Sequence, residues 1–318
     1  MLIGLTIMIV SEAATLARIE PFWSWNTPIA WTGFILFADS VVWRARGDSW
    51  LRSAPREFAA LALASIPLWL VFELYNRFIQ NWYYVGLPAN RALRMFGYAW
   101  SFATIWPAIF EAADLFAVIR RAGGAGGAGG TRGAGGPGGA GRAGAPGTAG
   151  AAGTPADTAG QMHTSVRPAS PRQPFQPVTP MQAGSIAAGI AMLVAPFLVS
   201  PEIARYLAAP VWLGFILLLD PINARLGGES LIADLRAGRP GRSINLLLGG
   251  LLCGVLWEFW NYWCRAKWHY AVPIMEHVKI FEMPLPGYLG FPAFALECFT
   301  MYVFIRRAFT TRGRCIAL

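Results

Sequence analysis

Long apolar stretches alternate with short polar loops along most of this 318-residue chain. Only 14% of the residues are charged, against roughly 25% in an average soluble domain, so charge cannot cover a soluble surface of this size. Lipid tolerates only helices or closed barrels, and these stretches lack the two-residue alternation of barrel strands. We therefore predict an all-α polytopic membrane protein with eight transmembrane helices. The helices are expected at about residues 2–18, 29–45, 58–78, 96–119, 184–200, 208–225, 243–264 and 286–305.

The chain also contains an internal repeat. Residues 31–39, WTGFILFAD, match residues 212–220, WLGFILLLD, at six of nine positions. Such self-similarity predicts a duplicated structural unit, here residues 1–121 and 182–318. Each unit has four predicted helices, and an even number makes the two repeats parallel in the membrane.

A segment rich in Gly, Ala and Pro, residues 122–181, separates the two units. It has almost no large apolar side chains, so it cannot offset its ordering entropy by burial. We predict a disordered linker.

The basic residues indicate the orientation in the membrane. Eighteen Lys and Arg residues fall after even-numbered helices, counting the C-terminus, and eight fall after odd-numbered ones. Because cytoplasmic loops carry the excess of basic residues, we expect a multi-pass protein of the inner (plasma) membrane with both termini and the linker in the cytoplasm. The basic residues flank apolar stretches instead of forming a patch, which argues against binding to nucleic acid.

Acidic residues recur at matching places within the predicted helices. Ionisable groups in a membrane are costly and are functional candidates by default. The inner pair is expected to support a nearby Arg or a helix end, and the other two pairs are the candidate catalytic residues. The pairs are Asp39 with Asp220, Glu73 with Glu258, and Glu111 with Glu297.

Glu111 and Glu297 fall near the middle of the membrane, each nine residues before an Arg. A buried carboxyl group with no base beside it stays neutral and can donate a proton. For Glu73 and Glu258 two interpretations stand side by side: a hydrogen bond to Asn76 or Asn261 one turn away or to an interfacial Trp, or a catalytic role.

Aromatic residues are dense around Glu73 and Glu258. They fit an interfacial aromatic belt at the outer face of the membrane; the alternative is a pocket whose ring faces hold a cation or an extended polyene. The candidate substrate-binding residues are Trp257, Trp260, Asn261, Trp268, Tyr270, Asn76, Trp82 and Tyr84.

A metal site is not expected. Glu73-x-x-Asn76 and Glu258-x-x-Asn261 resemble the Glu-x-x-His of di-iron bundles, but Asn is a poor ligand for transition metals. We predict no metal and no other cofactor.

One segment in each half resembles the lycopene cyclase domain of bacterial and fungal carotenoid pathways. The second half has Trp268-His-Tyr270, then Pro292 followed by Glu297; the first has Trp82-Tyr-Tyr84, then Pro107 followed by Glu111. The family departs in having adjacent acids and three helices per unit. The resemblance implies a helical membrane enzyme that cyclises the ends of a linear polyene by protonation, without net redox change.

These observations favour an enzyme acting on an apolar isoprenoid or carotenoid lipid, with membrane lipid or an apolar polyene as its ligand. The intramembrane carboxylic acids would donate protons. Two alternatives remain: a proton-coupled transporter of a small or lipid-like solute, and a non-catalytic membrane subunit.

The predicted orientation can be tested with reporter fusions. Because basic residues concentrate after even-numbered helices, a reporter fused at Gly150 should read cytoplasmic and one fused at Asn90 should read external. A cytoplasmic reading at Asn90 would contradict the arrangement of four helices per repeat.

Overall fold

The computed structural model is predominantly helical, which confirms the all-α fold class. It describes residues 1–129, 166–167, 178–309, 313–314 and 316, with side chains at 1–123, 178–307 and 316. The helices are α1 (Leu2–Leu16), α2 (Phe22–Arg46), α3 (Trp50–Ser53), α4 (Pro55–Ile79), α5 (Arg91–Gly129), α6 (Pro180–Leu198), α7 (Pro201–Ala204), α8 (Ala208–Arg225), α9 (Leu231–Arg236), α10 (Gly241–Trp263) and α11 (Gly290–Phe309), with a 3-10 turn at Leu285–Leu289.

Short strands form three antiparallel pairs among the described residues: β1 with β3, β2 with β6, and β4 with β5. The strands are β1 (Trp82–Val85), β2 (Val166–Arg167), β3 (Lys267–Tyr270), β4 (Lys279–Ile280), β5 (Met283–Pro284) and β6 (Gly313–Arg314). Most of the linker predicted over residues 122–181 lies outside the described residues.

Five of the described helical stretches are long and apolar enough to cross a membrane, as expected of a membrane protein. They are α4, α5, α6, α10 and the stretch that ends in α11. Helix α1 is apolar but shorter, and α2 and α8 fall outside this set. Each of the eight predicted stretches overlaps one of the described helices, while the count of eight membrane spans stays a prediction.

Close helix crossings join α1 to α2 and α6 to α8. A Cβ atom on Gly4 would lie 2.5 Å from the carbonyl oxygen of Gly33, and one on Gly189 would lie 2.8 Å from that of Gly214. Backbones approach this closely only where side chains are absent, as at many helix interfaces in membranes. The two crossings use Gly33 and Gly214, which occupy matching positions in the repeated sequence.

The two halves of the chain are packed together. Helix α5 packs against α2 and α4, and α11 packs against α8 and α10. Helix α10 also packs against α5, and β1 pairs with β3, so helices and strands from both halves share one core.

A cluster of charges ties the helix ends together on the side away from the paired strands β1 and β3. Glu229, in the loop after α8, forms ion pairs with Arg242 of α10 and Arg306 of α11. Arg306 also pairs with Glu57 of α4 at 3.2 Å. Burial opposes ionisation of Glu229, but the two guanidinium groups hold its pKa below the usual value.

Removing this carboxylate should destabilise the fold. Glu229→Gln removes one charged partner from each of two guanidinium groups, which keep Asp234 and Glu57 as their remaining counter-ions. We therefore expect a loss of roughly 2 kcal/mol in the free energy of unfolding in detergent. Because the folded-state pKa of Glu229 is lowered, its contribution is present above the pKa of an unfolded Glu and is lost as pH falls through the folded value. The difference in unfolding free energy between the wild type and the variant should therefore disappear in acid. Exposed Glu276 provides the control: if Glu276→Gln is equally destabilising, the cluster has no special role.

Candidate functional site

The inner aspartates hold the starts of two short helices. The Asp39 carboxylate accepts a hydrogen bond from the backbone N–H of Leu51 at 2.9 Å. The Asp220 carboxylate accepts one from Leu231 at 2.7 Å and one from Ile232 at 3.1 Å. A carboxylate at a helix N-terminus satisfies otherwise unpaired donors. This agrees with the expectation that these residues support helix ends.

Asn76 and Asn261 bind the backbone of the strands that follow them. The Asn76 amide donates to the carbonyl of Trp82 at 2.7 Å and accepts from its N–H at 3.2 Å. The Asn261 amide donates to the carbonyl of Trp268 at 2.9 Å and accepts from its N–H at 3.0 Å. Among the described residues these amides make hydrogen bonds to the strands, and none joins Asn76 to Glu73 or Asn261 to Glu258.

The Glu73 carboxylate is surrounded by aromatic donors. Its Oε1 atom accepts hydrogen bonds from Trp69 Nε1 at 2.9 Å, Trp82 Nε1 at 3.2 Å and Tyr84 Oη at 2.5 Å. Trp69 lies one turn before Glu73 on α4, and β1 carries Trp82 and Tyr84 back over the same helix. The interpretation that Trp contacts this acid is borne out by the geometry.

Glu258 sits at the matching place on α10 and is fully buried. Its Oε1 atom accepts a hydrogen bond from Tyr270 Oη at 2.8 Å, and Tyr270 Oη in turn accepts one from Trp268 Nε1 at 2.9 Å. Its other oxygen has no hydrogen-bond partner among the described residues. The result is a hydrogen-bonded chain from Trp268 through Tyr270 to the carboxyl group.

The two tyrosines remain protonated donors. Burial, followed by the charge of the adjacent Glu, raises the pKa of both Tyr84 and Tyr270 well above the ordinary value. Each phenol can therefore pass a proton along a hydrogen bond, but it does not act as a standing anion.

Strands β1 and β3 bring these two networks side by side. Their antiparallel register places Trp82 opposite Tyr270 and Tyr84 opposite Trp268. Neighbouring residues on a strand point to opposite faces, so Tyr83, which lies between Trp82 and Tyr84, is exposed. The strand pair thus gathers aromatic side chains from both halves on one face.

That face closes a cavity between the two halves. The cavity is lined by residues of both halves and is partly open to the surroundings. Half of the chain's 14 tryptophans line it. These seven are Trp25, Trp31, Trp69, Trp82, Trp212, Trp257 and Trp268.

The aromatic wall is held by ring contacts across helices. Trp257 lies 5.9 Å from Trp31, 5.7 Å from Trp69 and 5.4 Å from Trp268, measured between ring centroids. Phe294 of α11 lies 5.6 Å from Trp212. These are ordinary separations for aromatic pairs that stabilise a core, so the cavity has fixed walls of ring faces and edges.

Five of the eight predicted substrate-binding residues line this cavity: Trp82, Tyr84, Trp257, Trp268 and Tyr270. Trp260 is packed behind the wall, 4.9 Å from Trp31. Asn76 and Asn261 are engaged by the strands, as described above. Asn76 and Asn261 occupy matching positions in the two halves, and each attaches the strand that follows to the end of its helix.

Glu111 and Glu297 are fully buried but are not among the residues that line the cavity. Glu297 lies one turn beyond Phe294, which does line it. Neither carboxylate oxygen of Glu297 has a hydrogen-bond partner within the described part of the chain. Their role as proton donors stays a prediction.

Sequence reasoning missed several residues at this site. Trp31 and Trp212 were visible in the repeated motif, but their helix face could not be assigned. Arg94, which also lines the cavity, was not singled out. Away from the cavity, sequence reasoning also missed Asp114, an acid of an apolar helix that is buried and paired with Arg46 at 2.6 Å.

Among the described residues, no group of three or more His, Cys, Asp and Glu side chains is arranged to hold a metal ion. No protein-family model matches the chain, and comparisons with curated proteins and with solved structures find no similar protein. The function is therefore argued from the site itself.

Proposed function

We propose that this protein is a membrane enzyme that binds an isoprenoid-type lipid in the aromatic cavity and protonates one of its double bonds. The observation that carries the proposal is a cavity wall of seven tryptophans joined by two tyrosines, each hydrogen-bonded to a glutamate. An apolar wall suits a hydrocarbon, and the two Tyr–Glu pairs are the polar groups that can exchange protons with it. The resemblance to lycopene cyclase domains points to the same chemistry.

The proposed reaction needs no electron carrier. The relay begins when Glu258 takes up a proton and the hydrogen bond between Glu258 and Tyr270 reverses its direction. Glu258 then donates that proton to the oxygen of Tyr270 while Tyr270 gives its own proton to an alkene carbon. A C–H bond forms, the alkene π bond breaks, and the adjacent carbon becomes cationic. The π electrons of a second double bond of the lipid form a C–C bond to that carbon and close a ring, which leaves the cation on the far carbon of the second double bond. Loss of a proton from a neighbouring carbon to the Glu258 carboxylate, again through Tyr270, restores the acid.

The wall would stabilise the cation formed in this sequence. Ring faces attract positive charge, an effect of roughly 2 kcal/mol when the site excludes water. Trp69 and Trp257 present their indoles to the cavity beside the Tyr–Glu pairs. Such groups, fixed before the reaction, stabilise charge that develops in the transition state.

The same proposal includes the membrane arrangement. Eight spanning helices would form two parallel repeats of four in an inner (plasma) membrane, with both termini cytoplasmic. Matching hydrogen bonds at Asp39 and Asp220, and at Asn76 and Asn261, support the repeat. The distribution of basic residues supports the orientation.

One observation favours a second function. Glu297 is fully buried and without a hydrogen-bond partner in the described residues, which is typical of a carboxyl group that takes up and releases a proton during transport. In a proton-coupled carrier this residue, and its repeat partner Glu111, would control the cycle, and the cavity would hold the solute.

Deuterium incorporation distinguishes these functions. The purified protein in lipid nanodiscs is incubated in D2O with lycopene or geranylgeraniol, and the recovered lipid is analysed by mass spectrometry. We expect deuterated cyclic product from the wild type. Tyr270→Phe and Glu258→Gln should each lower the rate by about 10²-fold or more, the usual contribution of a general acid.

Tyr83→Phe is the matched control, because Tyr83 lies on the exposed face of the same strand pair and should keep full activity. If Tyr270→Phe, Tyr84→Phe and their double variant all keep full activity while Glu297→Gln loses it, Glu297 is the donor and the Tyr–Glu relay is wrong. If no probe gains deuterium but protons cross the membrane with a solute, the carrier function takes its place.

A further inference from the structure

We propose that the cavity recognises an amphiphile whose oxyanion head group binds Arg94 at the cavity mouth while its apolar tail lies against the tryptophans. This inference rests on the proposed isoprenoid cavity and names the end group of its ligand. The position of Arg94 carries it.

Helix α5 presents one continuous stripe to the cavity. Its lining residues are Leu93, Arg94, Gly97, Tyr98, Ser101, Phe102 and Ile105. Steps of three and four keep them on one helix face, and at a rise of roughly 1.5 Å per residue the stripe from Arg94 to Ile105 is about 16 Å long.

The stripe changes from exposed at one end to buried at the other, and Arg94 places a charge at the exposed end. Leu93, beside Arg94, is 50% exposed, whereas Ile105 at the far end is 4% exposed. The mouth therefore lies at the Arg94 end, and the depth of the cavity is formed by Ile105 and Phe294, both buried. A ligand that matches this gradient has one polar end and a long apolar body.

The charge at the mouth is positive and available. No carboxylate of the described residues lies within ion-pair distance of Arg94, and its guanidinium has only a long 3.5 Å contact to the carbonyl of Pro88. The other basic residue of the lining, Lys267, is paired with Glu282 at 2.8 Å. Arg94 is thus the lining cation whose charge remains for a ligand, and it disfavours a cationic one.

The two halves of the chain differ at this point. Lys279, the repeat partner of Arg94, lies in strand β4 and is exposed. In the first half the segment after Pro88 continues as helix α5 from Arg91, whereas the corresponding segment of the second half forms the β4–β5 hairpin. Arg94 of the first half therefore lines the cavity, while Lys279 of the second half does not. We expect this asymmetry to orient the ligand with its head group toward Arg94.

Two probes with the same tail isolate the head group. Geranylgeranyl phosphate and geranylgeraniol are titrated separately into the protein in neutral-lipid nanodiscs, and affinity is measured by calorimetry. We expect the phosphate to bind about tenfold or more tightly than the alcohol, because hydrogen bonds to charged groups are the stronger ones. Arg94→Gln should remove that difference without weakening binding of the alcohol.

Arg94→Lys should retain part of the preference for the phosphate over the alcohol. That result would also show that the site stays folded when the side chain changes. Arg91→Gln is the matched control: Arg91 is exposed on the same helix, does not line the cavity, and should leave both affinities unchanged. Inorganic phosphate should not displace the lipid probe at comparable concentration.

The outcomes separate this inference from the function on which it rests. Equal affinity of the wild type for both probes would overturn head-group recognition and leave the isoprenoid cavity intact. If inorganic phosphate displaces the lipid probe, the site binds simple anions and the proposal of an amphiphilic ligand is wrong. If neither probe binds, the isoprenoid cavity itself is wrong and this inference fails with it.

Discussion

A carboxylate removed from water needs hydrogen-bond donors or an opposite charge, and this requirement shapes the fold around Asp39, Asp114, Asp220 and Glu229. Asp39 and Asp220 are each satisfied by backbone N–H groups of a short helix that follows them. Asp114 is satisfied by Arg46, and Glu229 by two arginines. Each of these acids thus needs a contact from another segment of the chain, and these contacts determine how the loops lie against the helices.

The same requirement builds the candidate site. Glu73 and Glu258 are satisfied by aromatic donors on the strands that follow their own helices, so β1 and β3 must lie over α4 and α10. Once there, the strands pair with each other and bring their tryptophans onto one face. The cavity, its aromatic wall and its two Tyr–Glu pairs therefore follow from how two acids obtain their hydrogen bonds.

Sequence analysis predicted the helices from their apolar length, and it selected the acids as candidate functional residues from their rarity in lipid. It also named Trp82, Tyr84, Trp257, Trp268 and Tyr270, which do meet at the cavity. The roles of Asn76 and Asn261 could not be predicted. An asparagine repeats at matching positions of the two halves whether it binds the backbone or a ligand, so the sequence does not distinguish the two.

Arg94 was beyond prediction for a related reason. Its partner Lys279 has the same charge, and nothing in the pairing shows that one continues a helix while the other enters a hairpin. Likewise, the depth predicted for Glu111 and Glu297 follows from counting residues, but whether a side chain reaches a cavity depends on helix rotation, which packing against neighbouring helices decides.

The most direct test of this account is to identify the lipid that the protein carries from its own membrane. Protein purified in mild detergent is extracted and analysed by mass spectrometry beside Ser101→Trp, a variant that fills the cavity from α5. The account predicts an isoprenoid amphiphile that is enriched with the wild type and lost from the variant. If both carry only phospholipids, in the proportions of the surrounding membrane, the cavity is not an isoprenoid site and the central claim is wrong.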